Sequence, residues 1–75
     1  MSGTPRLLLT FCDDSTLIFA VRLRALLRAA APEAEITLGC YLPEQALSLR
    51  QLKMLVPEAD YVLFNKETLI EAVQA

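Results

Sequence analysis

One stretch near the start of the chain constrains the fold most: a short apolar run, a polar turn and then a long apolar helix. Residues 7–11 (Leu-Leu-Leu-Thr-Phe) predict a buried strand, and residues 12–16 (Cys-Asp-Asp-Ser-Thr) predict a turn. A helix rich in Leu, Ala and Arg is predicted to begin near Leu17 and to stop before Pro32. A strand that turns directly into a helix begins a βαβ unit. In open α/β sheets, ligands usually bind at that turn.

The same alternation of strand and helix continues along the sequence. The further elements predicted are a strand at residues 35–41, a helix from about Pro43, a strand at residues 61–64 and a helix at residues 66–74. Asn65 is the predicted N-cap of the last helix. The apolar contacts of the second helix are predicted to come from Leu47, Leu52, Leu55 and Val56.

The order of these elements predicts an α/β fold. Helical crossovers of this length imply parallel strands, so we expect a three-layer, Rossmann-like β-α-β-α-β-α domain with a short parallel sheet over residues 1–75. Strand orders 3-2-1 and 2-1-3 both suit the pattern. Three parallel strands leave two open edges, which proteins normally cover. We therefore expect these residues to form part of a larger domain.

The hydrophobic content of the chain is high for its size. It is 55% over 75 residues, whereas soluble domains usually have about 45–50%. The predicted first helix is apolar on nearly all sides, so we expect it to be covered on more than one side. The expected cover is either a missing C-terminal part of the same protein or another copy in a homo-oligomer.

Charge and residue usage exclude several classes of function. The net charge is −2 and no basic block is present, so a nucleic-acid footprint is not predicted. No apolar run reaches the roughly 20 residues that a membrane span needs, and we expect a cytoplasmic protein whose two cysteines are thiols. The absence of histidine excludes Ser-His and Cys-His nucleophilic pairs, and two cysteines alone do not make a zinc site. The sequence predicts neither a metal nor a cofactor.

The candidate ligand-binding residues all lie at predicted carboxyl ends of strands. They are Cys12, Asp13, Asp14, Ser15, Thr16, Tyr41 and Asn65. In a functional interpretation of the turn, the hydroxyl groups and the free N–H groups of the helix meet a polar or anionic ligand. In the structural alternative, the acids cap the helix and the hydroxyl groups satisfy the turn. The turn has no glycine, and two adjacent carboxylates would repel a phosphate group.

Cys12 follows the first predicted strand, where a helix N-terminus would favour its thiolate. This position resembles the phospho-cysteine loop of the sugar phosphotransferase IIB proteins, which has a C-x-x-G-x-[ST] pattern. The resemblance implies a cysteine phosphocarrier. Residues 12–16 depart from that pattern because they lack the glycine, carry two acids and place the hydroxyl groups one position early.

The overall layout resembles the start of the N-terminal Rossmann-like domain of a GT-B glycosyltransferase. The resemblance lies in the opening strand, acidic turn and apolar helix, followed by the strand at residues 35–41 and the Pro57-Glu58-Ala59-Asp60 lead-in to the third strand. It implies a portion of a nucleotide-sugar-dependent glycosyltransferase that is not catalytically complete alone. In that family the C-terminal domain mainly holds the donor, and the N-terminal domain mostly holds the acceptor. The alternative from a different class is a small α/β interaction module acting as a homo-oligomer.

Overall fold

A computed structural model of the chain describes residues 4–74. The elements are β1 (Arg6–Phe11), α1 (Asp14–Ala30), β2 (Glu35–Cys40), α2 (Ala46–Leu55), a 3₁₀ turn (Val56–Glu58), β3 (Tyr61–Leu63) and α3 (Glu67–Gln74). Both strand pairs are parallel. The predicted α/β class and the β-α-β-α-β-α order are therefore confirmed.

The strand order is β2-β1-β3, which is one of the two orders that the sequence left open. β2 and β3 lie on opposite sides of β1, so the two crossovers run across the sheet in opposite directions. Because such crossovers are right-handed, α1 and α2 cover opposite faces of the sheet. α3 packs against α2, so these two helices share one face and α1 covers the other.

The core under α2 and α3 is built around Leu8, Leu52 and Leu69, each at most 1% exposed. Leu8 points to this face from β1, and the alternation of the strand turns its neighbour Leu9 towards α1. Gly39 of β2 permits the close approach of α2, because a Cβ atom there would lie 2.9 Å from Leu52 Cδ1 and 3.1 Å from Leu8 Cδ1. A methyl group at this position would therefore press on Leu52 and Leu8 unless those side chains shifted.

Two helices begin at residues other than those predicted. α1 begins at Asp14, three residues before the predicted Leu17, because the polar residues of the expected turn form its first turn. α2 begins at Ala46, so Pro43 lies in the preceding loop and not in the helix. Asn65 is not a cap, since its buried Oδ1 atom has no hydrogen-bond partner among the described residues.

Position 47 of α2 is exposed, in contrast to the prediction that Leu47 contributes to the core. Its side chain is 61% exposed, whereas Leu52 is 1% exposed. The reason is that the next residue, Ser48, faces the sheet and is only 6% exposed, so Leu47 beside it faces solvent. The Ser48 hydroxyl accepts a hydrogen bond from the Leu42 N–H and donates one to the Gln45 carbonyl, so a polar side chain fixes the start of α2.

The outer face of α1 carries large apolar side chains that are exposed to solvent. Ile18, Phe19 and Leu26 are each more than half exposed, and Val21 is 40% exposed. The sequence predicted a helix covered on more than one side. In the described part of the chain this face remains open.

Candidate functional site

The candidate site lies at the carboxyl ends of β1 and β3, which are neighbours in the sheet. The helices that follow these two strands lie on opposite faces, so the chain diverges here, and we call the space between the two strand ends the β1/β3 crevice. A reversal of this kind marks the usual ligand site of open α/β sheets. Thr10 ties the two strands together at this edge: its hydroxyl donates a 2.6 Å hydrogen bond to the carbonyl of Leu63.

The β1–α1 turn forms a capping box, in which the side chains of Asp13 and Thr16 each accept a hydrogen bond from the other's backbone N–H. The Asp13 carboxylate accepts a 2.8 Å hydrogen bond from the Thr16 N–H, and the Thr16 hydroxyl accepts one from the Asp13 N–H at 3.0 Å. The same hydroxyl accepts a further bond from the Cys12 N–H and donates to the Asp13 carboxylate. These hydrogen bonds engage the Thr16 hydroxyl in holding the turn, and the side chain is only 8% exposed.

An ion pair crosses the crevice from the loop after β1 to the loop after β3. Lys66 Nζ and Asp13 Oδ2 lie 2.5 Å apart, and the two side chains remain 50% and 37% exposed. The hydrogen bond from Lys66, followed by those from Thr16, holds the pKa of Asp13 well below its ordinary value. The hydrogen bond to Asp13 raises the pKa of Lys66 above its ordinary value. Both groups are therefore charged at neutral pH and accessible from solvent.

Lys66 was not among the sequence candidates. The available signal was its position two residues after the third predicted strand, at the same edge of the sheet as Asp13. That signal depends on strand order. In a 3-2-1 sheet the first and third strands are not neighbours, and the two side chains would not meet. Only the observed β2-β1-β3 order brings them together.

The other predicted site residues are placed at different distances from the crevice. Asp14 and Ser15 are exposed in the first turn of α1, next to the capping box. Tyr41 lies beyond β2 and packs, half-buried, against the Leu8–Leu52–Leu69 core. Asn65 is half-buried beside Lys66. The structure therefore brings Asp13, Lys66 and Asn65 to one edge and packs the Tyr41 side chain against the core.

Both cysteines are free thiols, and the strand register turns them to opposite faces of the sheet. Cys12 packs against the core under α2 and α3, while Cys40 pairs with Phe11 and points towards α1. Cys12 Sγ lies 4.0 Å from the Asp13 carboxylate. A phosphoryl group on Cys12 would therefore meet a negative charge.

A small cavity lies at the other edge of the sheet, at the amino ends of the strands. It is lined by Arg6, Glu35, Glu58 and neighbouring residues, and its volume is about 80 Å³. Ligand pockets usually have volumes of about 300–1,000 Å³. The cavity is therefore small for a ligand, and it lies at the edge opposite the carboxyl ends of the strands, where ligands usually bind in open α/β sheets.

No group of three or more possible metal ligands of the Cys, Asp, Glu or His type lies together among residues 4–74. Within the same residues, no helix combines the length and hydropathy that a bilayer crossing requires. Comparisons of the chain with protein-family models, curated proteins and solved structures give no match. Function is therefore inferred from the chain's own residues.

Proposed function

We propose that the chain is the N-terminal portion of a nucleotide-sugar-dependent glycosyltransferase and that its β1/β3 crevice faces the acceptor. The observation that carries the proposal is the Asp13–Lys66 pair at the carboxyl edge of the sheet. A carboxylate that accepts hydrogen bonds and an ammonium group that donates them suit the hydroxyl groups of a sugar-like acceptor. Both side chains are exposed enough for a ligand to reach them.

Asp13 would bind the acceptor and not act as its general base. An efficient general base has a pKa near the working pH, because its proton affinity must be sufficient to remove the proton. Lys66 and Thr16 lower the pKa of Asp13, which makes this carboxylate a weak base. A catalytic base would therefore be a residue other than Asp13.

The crevice is poorly suited to a nucleotide. No glycine lies in the loops after β1 or β3, so no backbone cradle admits a phosphate closely. The neighbouring carboxylates of Asp13 and Asp14 add repulsion. This fits the division of labour that the glycosyltransferase resemblance implies, in which another domain holds the nucleotide-sugar donor.

The test is a titration of the ¹⁵N-labelled chain followed by two-dimensional amide spectra. The probes are glucose, N-acetylglucosamine and maltotriose as acceptor mimics, and uridine diphosphate glucose as a donor. Shifts are expected with the neutral sugars at residues 12–16 and 65–67, and none are expected there with the donor. Lys66→Gln should weaken the shifts, whereas Arg6→Gln, which removes a cation at the opposite edge, should not. No shifts with any sugar up to about 50 mM, or a response to the donor alone, would overturn the proposal.

A second candidate function is favoured by a separate observation, the open apolar face of α1. Side chains such as Leu26, 68% exposed, belong to a surface that soluble proteins usually cover with a partner. This observation supports the interaction module. A discrete oligomer in solution and the absence of sugar-dependent shifts would favour it over the glycosyltransferase.

A further inference from the structure

Five residues along α1 follow the spacing of a coiled-coil seam. They are Asp14, Ile18, Val21, Ala25 and Arg28, separated alternately by four and three residues. All five are exposed, and none is among the buried core residues. We call this set the α1 seam. It has one acid at its first position, one base at its last position and three apolar residues between them.

The α1 seam is complementary to itself in the antiparallel direction. Asp14 and Arg28 both lie seven residues from Val21, so a two-fold axis at Val21 places each acid opposite the base of the second copy. The same axis places Val21 against its own copy and Ile18 beside Ala25 of the other. Each end of such a pair carries one opposite-charge contact, and the middle is apolar.

Other arrangements of α1 are less favourable. A parallel pair would set Asp14 against Asp14 and Arg28 against Arg28, and like charges at close range are unfavourable. A neighbouring stripe through Phe19, Arg22 and Leu26 also exposes large apolar side chains but has Arg22 at its centre. In an antiparallel self-pair, that stripe would bring two guanidinium groups together. The charges within the two stripes therefore favour the α1 seam, and within that seam they favour the antiparallel direction.

We propose that the partner of α1 is a second copy of this chain, held by antiparallel pairing of the two α1 seams about Val21. The inference rests on the interaction-module candidate, which acts as a homo-oligomer, and names the surface through which the copies pair. Asp14 directly follows Asp13 of the crevice, so in this dimer the rim of each crevice carries Arg28 of the second copy. The dimer thus brings one more cation to an edge where Asp13 and Lys66 already meet.

Charge reversal tests the pairing directly, with the dimer dissociation constant measured by analytical ultracentrifugation. The wild-type chain is expected to form a dimer, and Asp14→Arg or Arg28→Asp is expected to weaken it by about tenfold or more. The double variant should return to within about threefold of the wild type. Each reversal places a charge unfavourably with respect to the helix dipole of α1. If helix damage alone weakened the dimer, the double variant would therefore have the weakest dimer of the three variants.

Cross-linking tests the position of the axis. Val21→Cys should form an intermolecular disulfide under mild oxidation, since each Val21 faces its own copy. Leu26→Cys is the matched control because it is exposed on α1 but lies outside the seam, and the wild type gives the background from Cys12 and Cys40.

Three outcomes would overturn the proposal: a monomer at all concentrations, a dimer that both single reversals leave unchanged, or equal cross-linking at positions 21 and 26. A dimer that survives both reversals would refute the α1 seam while leaving the interaction-module candidate standing. A monomer would refute both. Neither result bears on the sugar titration, which tests the glycosyltransferase proposal separately.

Discussion

The carboxylate of Asp13 and the ammonium group of Lys66 meet across the crevice between β1 and β3, with 2.5 Å between Oδ2 and Nζ. Asp13 has a second task, since the same carboxylate caps α1 through the Thr16 N–H. A ligand that takes Lys66 away from Asp13 would therefore leave the cap in place. The two functions of this side chain are separable by mutation, because Asn retains the capping oxygen and lacks the charge.

The stability of the fold should depend on the ionisation of Asp13 at acid pH. Its folded-state pKa is lowered, so the ionised carboxylate stabilises the fold above the ordinary pKa near 4, and this contribution is lost as the pH falls further into the acid range. Urea unfolding at pH 6 and pH 3 should give a larger fall in midpoint for the wild type than for Asp13→Asn.

Salt and a matched variant separate the ion pair from the cap. Because both side chains are well exposed, 1 M NaCl should reduce the part of the effect that comes from Lys66. Lys66→Gln should have an intermediate acid sensitivity, since the hydrogen bonds from Thr16 remain. Equal acid sensitivity in the wild type and Asp13→Asn would contradict the lowered pKa.

Removing the Thr16 hydroxyl should destabilise the fold. Thr16→Val keeps the shape of the side chain but leaves the N–H groups of Cys12 and Asp13 without their acceptor. The expected loss is about 1–3 kcal/mol of unfolding free energy. Thr16→Ser restores the oxygen and is the control, so it should lie closer to the wild type in urea unfolding. If Val and Ser behave alike, the hydroxyl is not what holds the turn.

Gly39→Ala should be unfavourable because its new methyl group would press on Leu52 and Leu8. Overpacking of this kind typically costs about 1–3 kcal/mol. The shorter side chain of Leu52→Val makes room for the methyl group. Gly39→Ala should therefore cost less stability in the Leu52→Val background than in the wild type. Additive losses in thermal or urea unfolding would show that the two positions do not compete for the same space.

Two leucines of α2 should respond very differently to truncation. Leu52→Ala removes a side chain that is 1% exposed and should cost about 2–5 kcal/mol, which is enough to unfold much of a small domain. Leu47→Ala removes one that is 61% exposed and should change stability by less than about 0.5 kcal/mol. Far-ultraviolet circular dichroism during urea unfolding measures both. Comparable losses would mean that Leu47 is covered in solution.

The sequence was sufficient to predict the type and order of the elements, because apolar runs and prolines mark them clearly. It misplaced the start of α1 because Asp14, Ser15 and Thr16 are typical of a turn and equally typical of a first helical turn. It misjudged Leu47 because hydrophobicity alone does not show that Ser48, held by its hydrogen bond from the Leu42 N–H, takes the inward position. These errors occur where a polar side chain decides the local geometry.

The candidate site could be predicted only in part. Asp13 was found because it follows β1, and a strand end is visible in sequence. Lys66 was missed because its proximity to Asp13 depends on whether β3 lies next to β1. The right-handed rule fixes the hand of a crossover but not the direction in which it moves along the sheet. Packing of the complete set of strands decides that direction.

The central place of β1 has a consequence for how the chain acquires its structure during synthesis. β1 emerges from the ribosome before either strand with which it pairs, and β3 follows more than 50 residues later. Until β3 arrives, the nascent chain presents one side of β1 to solvent and to other chains. Pairing with β3, together with the bond from Thr10 to Leu63, covers that side. Slow arrival of β3 should therefore expose the nascent chain to aggregation.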